Sequence, residues 1–147
     1  MIRKLATVLR WPARDQKLVL RTLGWYALLR VLLWVVPYRR LRGLLRAATA
    51  QATRQGRAAS EDRRDPAHVC ALVARVGHYV PGETCLLRAL VAQQLLRRQG
   101  CPAIVVAGVR SDGAGGLEAH AWIETPETTF FRISSYHRFT LRDTDLP

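Results

Sequence analysis

Cys85 is the residue with the most chemistry to offer. It follows Pro81-Gly82-Glu83-Thr84 and opens a run, Cys85 to Leu96, in which only Arg88, Gln93 and Gln94 are strongly polar. Thr84 suits a helix N-cap, so the thiol falls in the first turn of a helix, and one that is apolar nearly all round is a buried one. There the positive end of the helix dipole favours thiolate, the nucleophilic form of cysteine. Most free cysteines are instead small buried hydrophobes. Cys70, inside a helix, and Cys101, between Gly100 and Pro102, fit that description. His120 is the second candidate. Along Ala119-His120-Ala121-Trp122-Ile123-Glu124 the pattern alternates with period two, so His120, Trp122 and Glu124 share one strand face and Ala119, Ala121 and Ile123 the other. A histidine there could take the thiol proton while a neighbouring strand orients its other ring nitrogen. It could also be a core or edge histidine bonded to a backbone carbonyl. His68, His78 and His137 fall at helix ends or in a loop, where structural roles are expected.

Other chemistries lack residues. The three cysteines lie 15 and 16 apart with no C-x-x-C, which is neither a disulfide framework nor a zinc site and points to a reducing, cytoplasmic compartment. No HExxH, GxSxG or P-loop occurs, so metalloprotease, serine-hydrolase and NTPase readings fail. No metal or organic cofactor is indicated.

The elements that must position these residues follow from periodicity and punctuation. Pro12 suits the first turn of a long Leu/Val/Arg helix over 13–36 that Pro37 stops. A second, amphipathic helix is expected over 39–55, capped by Gly56, with a linker over 56–64. Asp65-Pro66 opens a helix reaching about His78, and the Cys85 helix runs to Gln99 before Gly100. The period then changes. Strands are expected over 103–110, 119–125 and 128–134, with a short one near 138–141. Helices first and an antiparallel meander last argue for an α+β fold.

At 147 residues, 49% hydrophobic and 23% charged, the chain is globular in composition, which excludes fibrous and wholly disordered classes. Its net charge of +12 is uneven. Residues 1–64 hold 15 basic and 3 acidic residues, and residues 65–147 hold 8 of each. We therefore expect a basic helical region over 1–60 and a neutral core over 65–147. The most apolar stretch, Leu18–Pro37, is broken by Arg21 and Arg30, and its longest uncharged runs, Thr22–Leu29 and Val31–Tyr38, have eight residues each, short of the roughly 20 that a spanning helix needs. Neither a transmembrane segment nor a signal peptide is expected.

The block Cys85-Leu86-Leu87-Arg88-Ala89-Leu90-Val91-Ala92-Gln93, then Gly100, Ala107-Gly108-Val109-Arg110 and Ala119-His120-Ala121-Trp122-Ile123-Glu124, resembles the lasso peptide B2 proteins. The Leu-rich helix, Pro-Tyr-Arg-Arg-Leu-Arg break and basic helix of Leu18–Leu45 are similar to that family's N-terminal region, so the resemblance covers nearly the whole chain. It implies a papain/transglutaminase-like core and a cysteine leader peptidase of antibiotic biosynthesis. Cys85 would be the nucleophile that cuts leader from core in a ribosomally made precursor, and His120 its general base and then acid. A small leader-binding protein would present the precursor, and a lasso cyclase would close the ring afterwards.

One departure stands out. A Cys-His-Asp triad needs a carboxylate about a dozen residues after His120, and Arg132 stands near that place, flanked by Phe131 and Ile133. Glu127 lies at a turn, and Asp143 and Asp145 come late. Either another group orients His120 (a Ser134 or Ser135 hydroxyl, or a backbone carbonyl) or the site works as a dyad. The Cys85 backbone N–H is a candidate oxyanion donor, because the first amides of a helix lack internal acceptors. Two alternatives share these residues: a non-catalytic peptide-binding module, and a transglutaminase-like acyl transferase. For the basic front we expect docking on the core or partner, with an anionic membrane surface as a second occupant and no nucleic acid, since no reading motif accompanies the charge.

Overall fold

The computed structural model describes residues 13–37, 40, 43, 44, 47 and 64–139. Helix α1 spans Ala13–Val35, α2 Pro66–Gly77 and α3 Cys85–Arg98, followed by strands β1 Ile104–Ser111, β2 Leu117–Glu124, β3 Thr129–Phe130 and β4 His137–Phe139. The expected helix over 39–55 and the linker over 56–64 lie almost wholly outside the described residues.

Local chemistry sets the helix ends. The Asp65 carboxylate accepts from the Ala67 amide at 3.0 Å and Pro66 fills the first turn of α2. Thr84 is extended, and its hydroxyl accepts from the Leu87 amide at 3.2 Å, capping α3 at the residue before Cys85. The three helices pack on one another, and α3 also packs on β2. Their shared core holds Leu18, Val19, Tyr26 and Leu29 of α1, Val69, Val73 and Val76 of α2, and Leu90, Val91 and Leu96 of α3, closed by Ala121 and Ile123 of β2. By length and composition α1 could also cross a membrane.

The sheet is antiparallel in the order β3-β2-β1-β4. In the β1–β2 register Gly108 lies opposite His120 and Val106 opposite Trp122. A side chain at Gly108 would strike the Trp122 ring and the His137 carbonyl, so only glycine fits beneath that indole. The second face of the sheet carries its own apolar cluster of Val106, Trp122 and Tyr136.

Strand β3 is far shorter than the stretch expected over 128–134. It stops at Phe130 because Phe131 turns the chain with φ of 66°, a left-handed conformation rare for a residue with a side chain. Alternation of apolar residues carries no signal for such a turn.

Candidate active site

Cys85 is the first residue of α3 and is half-buried against the main core. The loop before it is firmly held. The Glu83 carboxylate takes two bonds from the Arg88 guanidinium, at 2.9 Å from Nε and 2.6 Å from Nη2, and a third from the Tyr26 hydroxyl at 2.6 Å. The same hydroxyl lies 3.2 Å from the Val73 carbonyl, a second acceptor for its one hydrogen. Burial works to raise the Glu83 pKa, yet the bonds from Arg88 and Tyr26 outweigh it and leave the group below the ordinary carboxylate range. For Tyr26, burial and the neighbouring Glu83 push the phenol upward. Gly77 makes room for the cluster, since an added Cβ would collide with the Glu83 carboxyl and the Tyr26 hydroxyl. Arg30 of α1 reaches the Pro81 carbonyl of the same loop. The first helix therefore braces the turn that delivers the thiol.

His120 sits on β2, half-buried, on the sheet face of Trp122 and Tyr136. Its ring lies 6.3 Å from Trp122 and 5.1 Å from Tyr136, centroid to centroid. Its Nε2 is 2.7 Å from the main-chain oxygen of Phe131. Trp122 donates to Glu124 at 3.0 Å, and Tyr136 donates to Glu118 at 3.1 Å beneath the Arg110 guanidinium, which stands 4.8 Å over its ring. The Arg88 guanidinium, one turn past Cys85, stands 5.9 Å over the Phe131 ring, and Phe131 packs against both apolar clusters. Phe131 thus links the cysteine helix to the histidine strand.

The remaining candidates have surroundings of their own. Cys70 is buried in α2, and burial, with lesser contributions from Cys101 and Asp65, pushes its thiol up to about 12. Cys101 lies in the turn after α3, its amide donating to the Leu96 carbonyl at 3.0 Å. His68 pairs with Asp15 at 3.2 Å, His78 ends α2, and His137 lies in β4. Of the hydroxyls proposed to orient His120, Ser135 accepts instead from Arg110 at 3.1 Å and Ser134 is exposed; Arg132, at the place expected for a triad carboxylate, is exposed too. Asp143 and Asp145 lie outside the described residues. Among the described residues no group of three His, Cys, Asp or Glu could hold a metal ion. Sequence reasoning missed the Tyr26–Glu83–Arg88 cluster, because 57 residues separate Tyr26 from Glu83.

A helix opening on cysteine, packed against an antiparallel sheet that carries histidine, is the plan of the papain-type and transglutaminase-like folds. Residues 28–140 match the family described as the transglutaminase-like superfamily, and the chain belongs to it. No curated protein and no solved structure matches the chain.

Proposed function

We propose that the protein is a cysteine peptidase that removes the leader from a ribosomally synthesised lasso-peptide precursor. Cys85 is its nucleophile and His120 its general base. Family membership supports thiol-based acyl transfer, and the B2-like motifs favour leader removal. The observation that carries the reading is Phe131. Its ring lies under the guanidinium of Arg88, three residues past Cys85 on α3, while its main-chain carbonyl meets His120, so one residue touches both the cysteine helix and the histidine.

In this reaction the Cys85 sulfur attacks the scissile carbonyl carbon as His120 accepts the thiol proton. The tetrahedral oxyanion faces the Cys85 amide, at the start of α3, which has no intrahelical acceptor; the Leu87 amide is already taken by the Thr84 cap. Its collapse breaks the C–N bond, the imidazolium gives its proton to the leaving amine, and a thioester remains. Water deprotonated by His120 then hydrolyses the thioester, releasing the leader acid and freeing the thiol. General acid–base help of this kind contributes about 10²–10⁴-fold.

Incubation with a precursor peptide and its leader-binding protein, read by mass spectrometry, tests the proposal. Two fragments are expected from the native chain and none from Cys85→Ala or His120→Ala, whose melting temperatures stay close to the parent's. Cleavage by the Cys85→Ala variant would remove the nucleophile. A mass adduct on an amine would identify an acyl transferase instead.

A binding module is the second reading, and one observation favours it. His120 shares its sheet face with Trp122 and Tyr136, whereas Ala121 and Ile123 face the helical core. Beyond its two pairs with β3, the outer edge of β2 is unpaired among the described residues, so a peptide strand could add there. Binding without any change in substrate mass is the outcome that would establish it.

The leader-binding protein and the cyclase are proposed partners. The exposed stripe Leu20, Leu28, Val31, Trp34 and Val35 on α1 supports a docking role for the front of the molecule.

A further inference from the structure

We infer that the main-chain carbonyl of Phe131 takes the part of the missing third residue and fixes the tautomer of His120; the catalytic half of this inference rests on the peptidase reading above. Three observations converge on that carbonyl. It stands 2.7 Å from His120 Nε2. It follows His120 by 11 residues, close to where a triad carboxylate would fall and where the sequence offers Phe131, Arg132 and Ile133. It is aimed by a backbone with φ of 66° at a residue that is not glycine. A conformation of that kind is strained and persists only where the surroundings over-determine it. Here the surroundings are the Arg88 guanidinium over the ring and the two apolar clusters on which the ring packs.

The chemistry leaves one choice of proton. A carbonyl oxygen accepts and never donates, so Nε2 carries the hydrogen. Neutral imidazole has one N–H, so Nδ1 is left with a bare lone pair, the form a base needs to take a thiol proton. An aspartate would do the same and add a full negative charge beside the imidazolium; the Phe131 carbonyl supplies orientation with only a dipole. Phe131 is therefore a positioning residue that acts through His120.

The tautomer can be read directly. The full chain is labelled with ¹⁵N-histidine and its long-range ¹H–¹⁵N spectrum recorded at about pH 8.5, some two units above an ordinary imidazole pKa. His120 is assigned by its disappearance in His120→Gln. The expected result is a single Nε2–H form in the native chain. Phe131→Gly keeps more of that form than Phe131→Pro does, because glycine reaches a φ of 66° without strain and retains the carbonyl, although it gives up the ring that packs on both clusters. Phe131→Pro loses it, because proline fixes φ near −65° and swings the carbonyl away. In cleavage assays kcat of Phe131→Pro falls about 10²-fold below that of Phe131→Gly with KM little changed, as loss of a correctly protonated base predicts. An Nδ1–H form or rapid averaging in the native chain overturns the inference, as does a folded Phe131→Pro variant that keeps the Nε2–H form. The native spectrum decides even if Phe131→Pro does not fold. It needs no substrate, so the carbonyl's role and the peptidase reading fail separately: a fixed tautomer in a chain that cuts nothing leaves the first standing and removes the second.

Discussion

Three thiols of one chemical type have three different surroundings, and surroundings decide which can react. Cys70 is buried and its thiol is pushed up to about 12, so almost none of it is thiolate near neutrality. Cys85 is half-buried at the start of a helix and so is partly open to reagents. Iodoacetamide at about pH 8 is therefore expected to label Cys85 well before Cys70 in the native chain, which peptide mapping would show; equal labelling would contradict it. Cys70→Ser places a hydroxyl in an apolar site at a cost of roughly 1–3 kcal/mol. Its melting temperature falls, while cleavage by the folded fraction is unchanged.

At the scale of elements, the interest lies in the loop between α2 and α3. Its Glu83 carboxylate joins α1 through Tyr26 and α3 through Arg88 and is scarcely exposed, at 9% of its side-chain surface. Folding lowers the pKa of Glu83, so the stabilisation is complete above the ordinary carboxylate value and disappears as pH falls toward the lowered one. Denaturant melts between about pH 3 and pH 7 should show this acid limb in the native chain and a flatter one in Glu83→Gln. An identical limb in the variant would assign the acid sensitivity elsewhere. Thr84→Ala, which removes the cap beside the nucleophile, should cost about 1 kcal/mol in the same assay.

At the scale of the molecule, the basic N-terminal part is no mere appendage. Leu18, Val19, Tyr26 and Leu29 of α1 are fully or nearly fully buried, Arg98 of α3 stacks 4.9 Å over Trp25, and Arg64 pairs with Asp15. Burial of such side chains stabilises by about 1.5–3 kcal/mol each, and the total rivals the 5–15 kcal/mol stability of a whole domain. The fragment 65–147 is accordingly expected to lose cooperative thermal unfolding; a sharp transition near that of the full chain would show that α1 is dispensable to the core. The opposite side of α1 leaves Trp34 88% and Val35 75% exposed. If that side docks on the leader-binding protein, Trp34→Ser weakens pull-down of the partner without lowering the melting temperature. If it rests on an anionic bilayer, the same substitution reduces pelleting with vesicles of acidic phospholipid.

Much was legible from the chain alone because it is local. Asp65-Pro66 and Thr84 announced the starts of α2 and α3, since caps and proline act within one turn. Alternation over Ala119–Glu124 announced β2 and the face that His120 would share with Trp122. The uneven charge and the absence of any carboxylate near Arg132 are likewise plain in the residues themselves. Tertiary structure alone decided what depends on distant partners. It bent Phe131 into a left-handed turn and cut β3 to two residues, set its carbonyl on His120, joined Tyr26 to Glu83, and drew α1 into the core. The reason is physical. Capping and periodicity are written within a few residues, whereas strain, buried hydrogen bonds and shared cores are set by whatever the folded chain brings alongside.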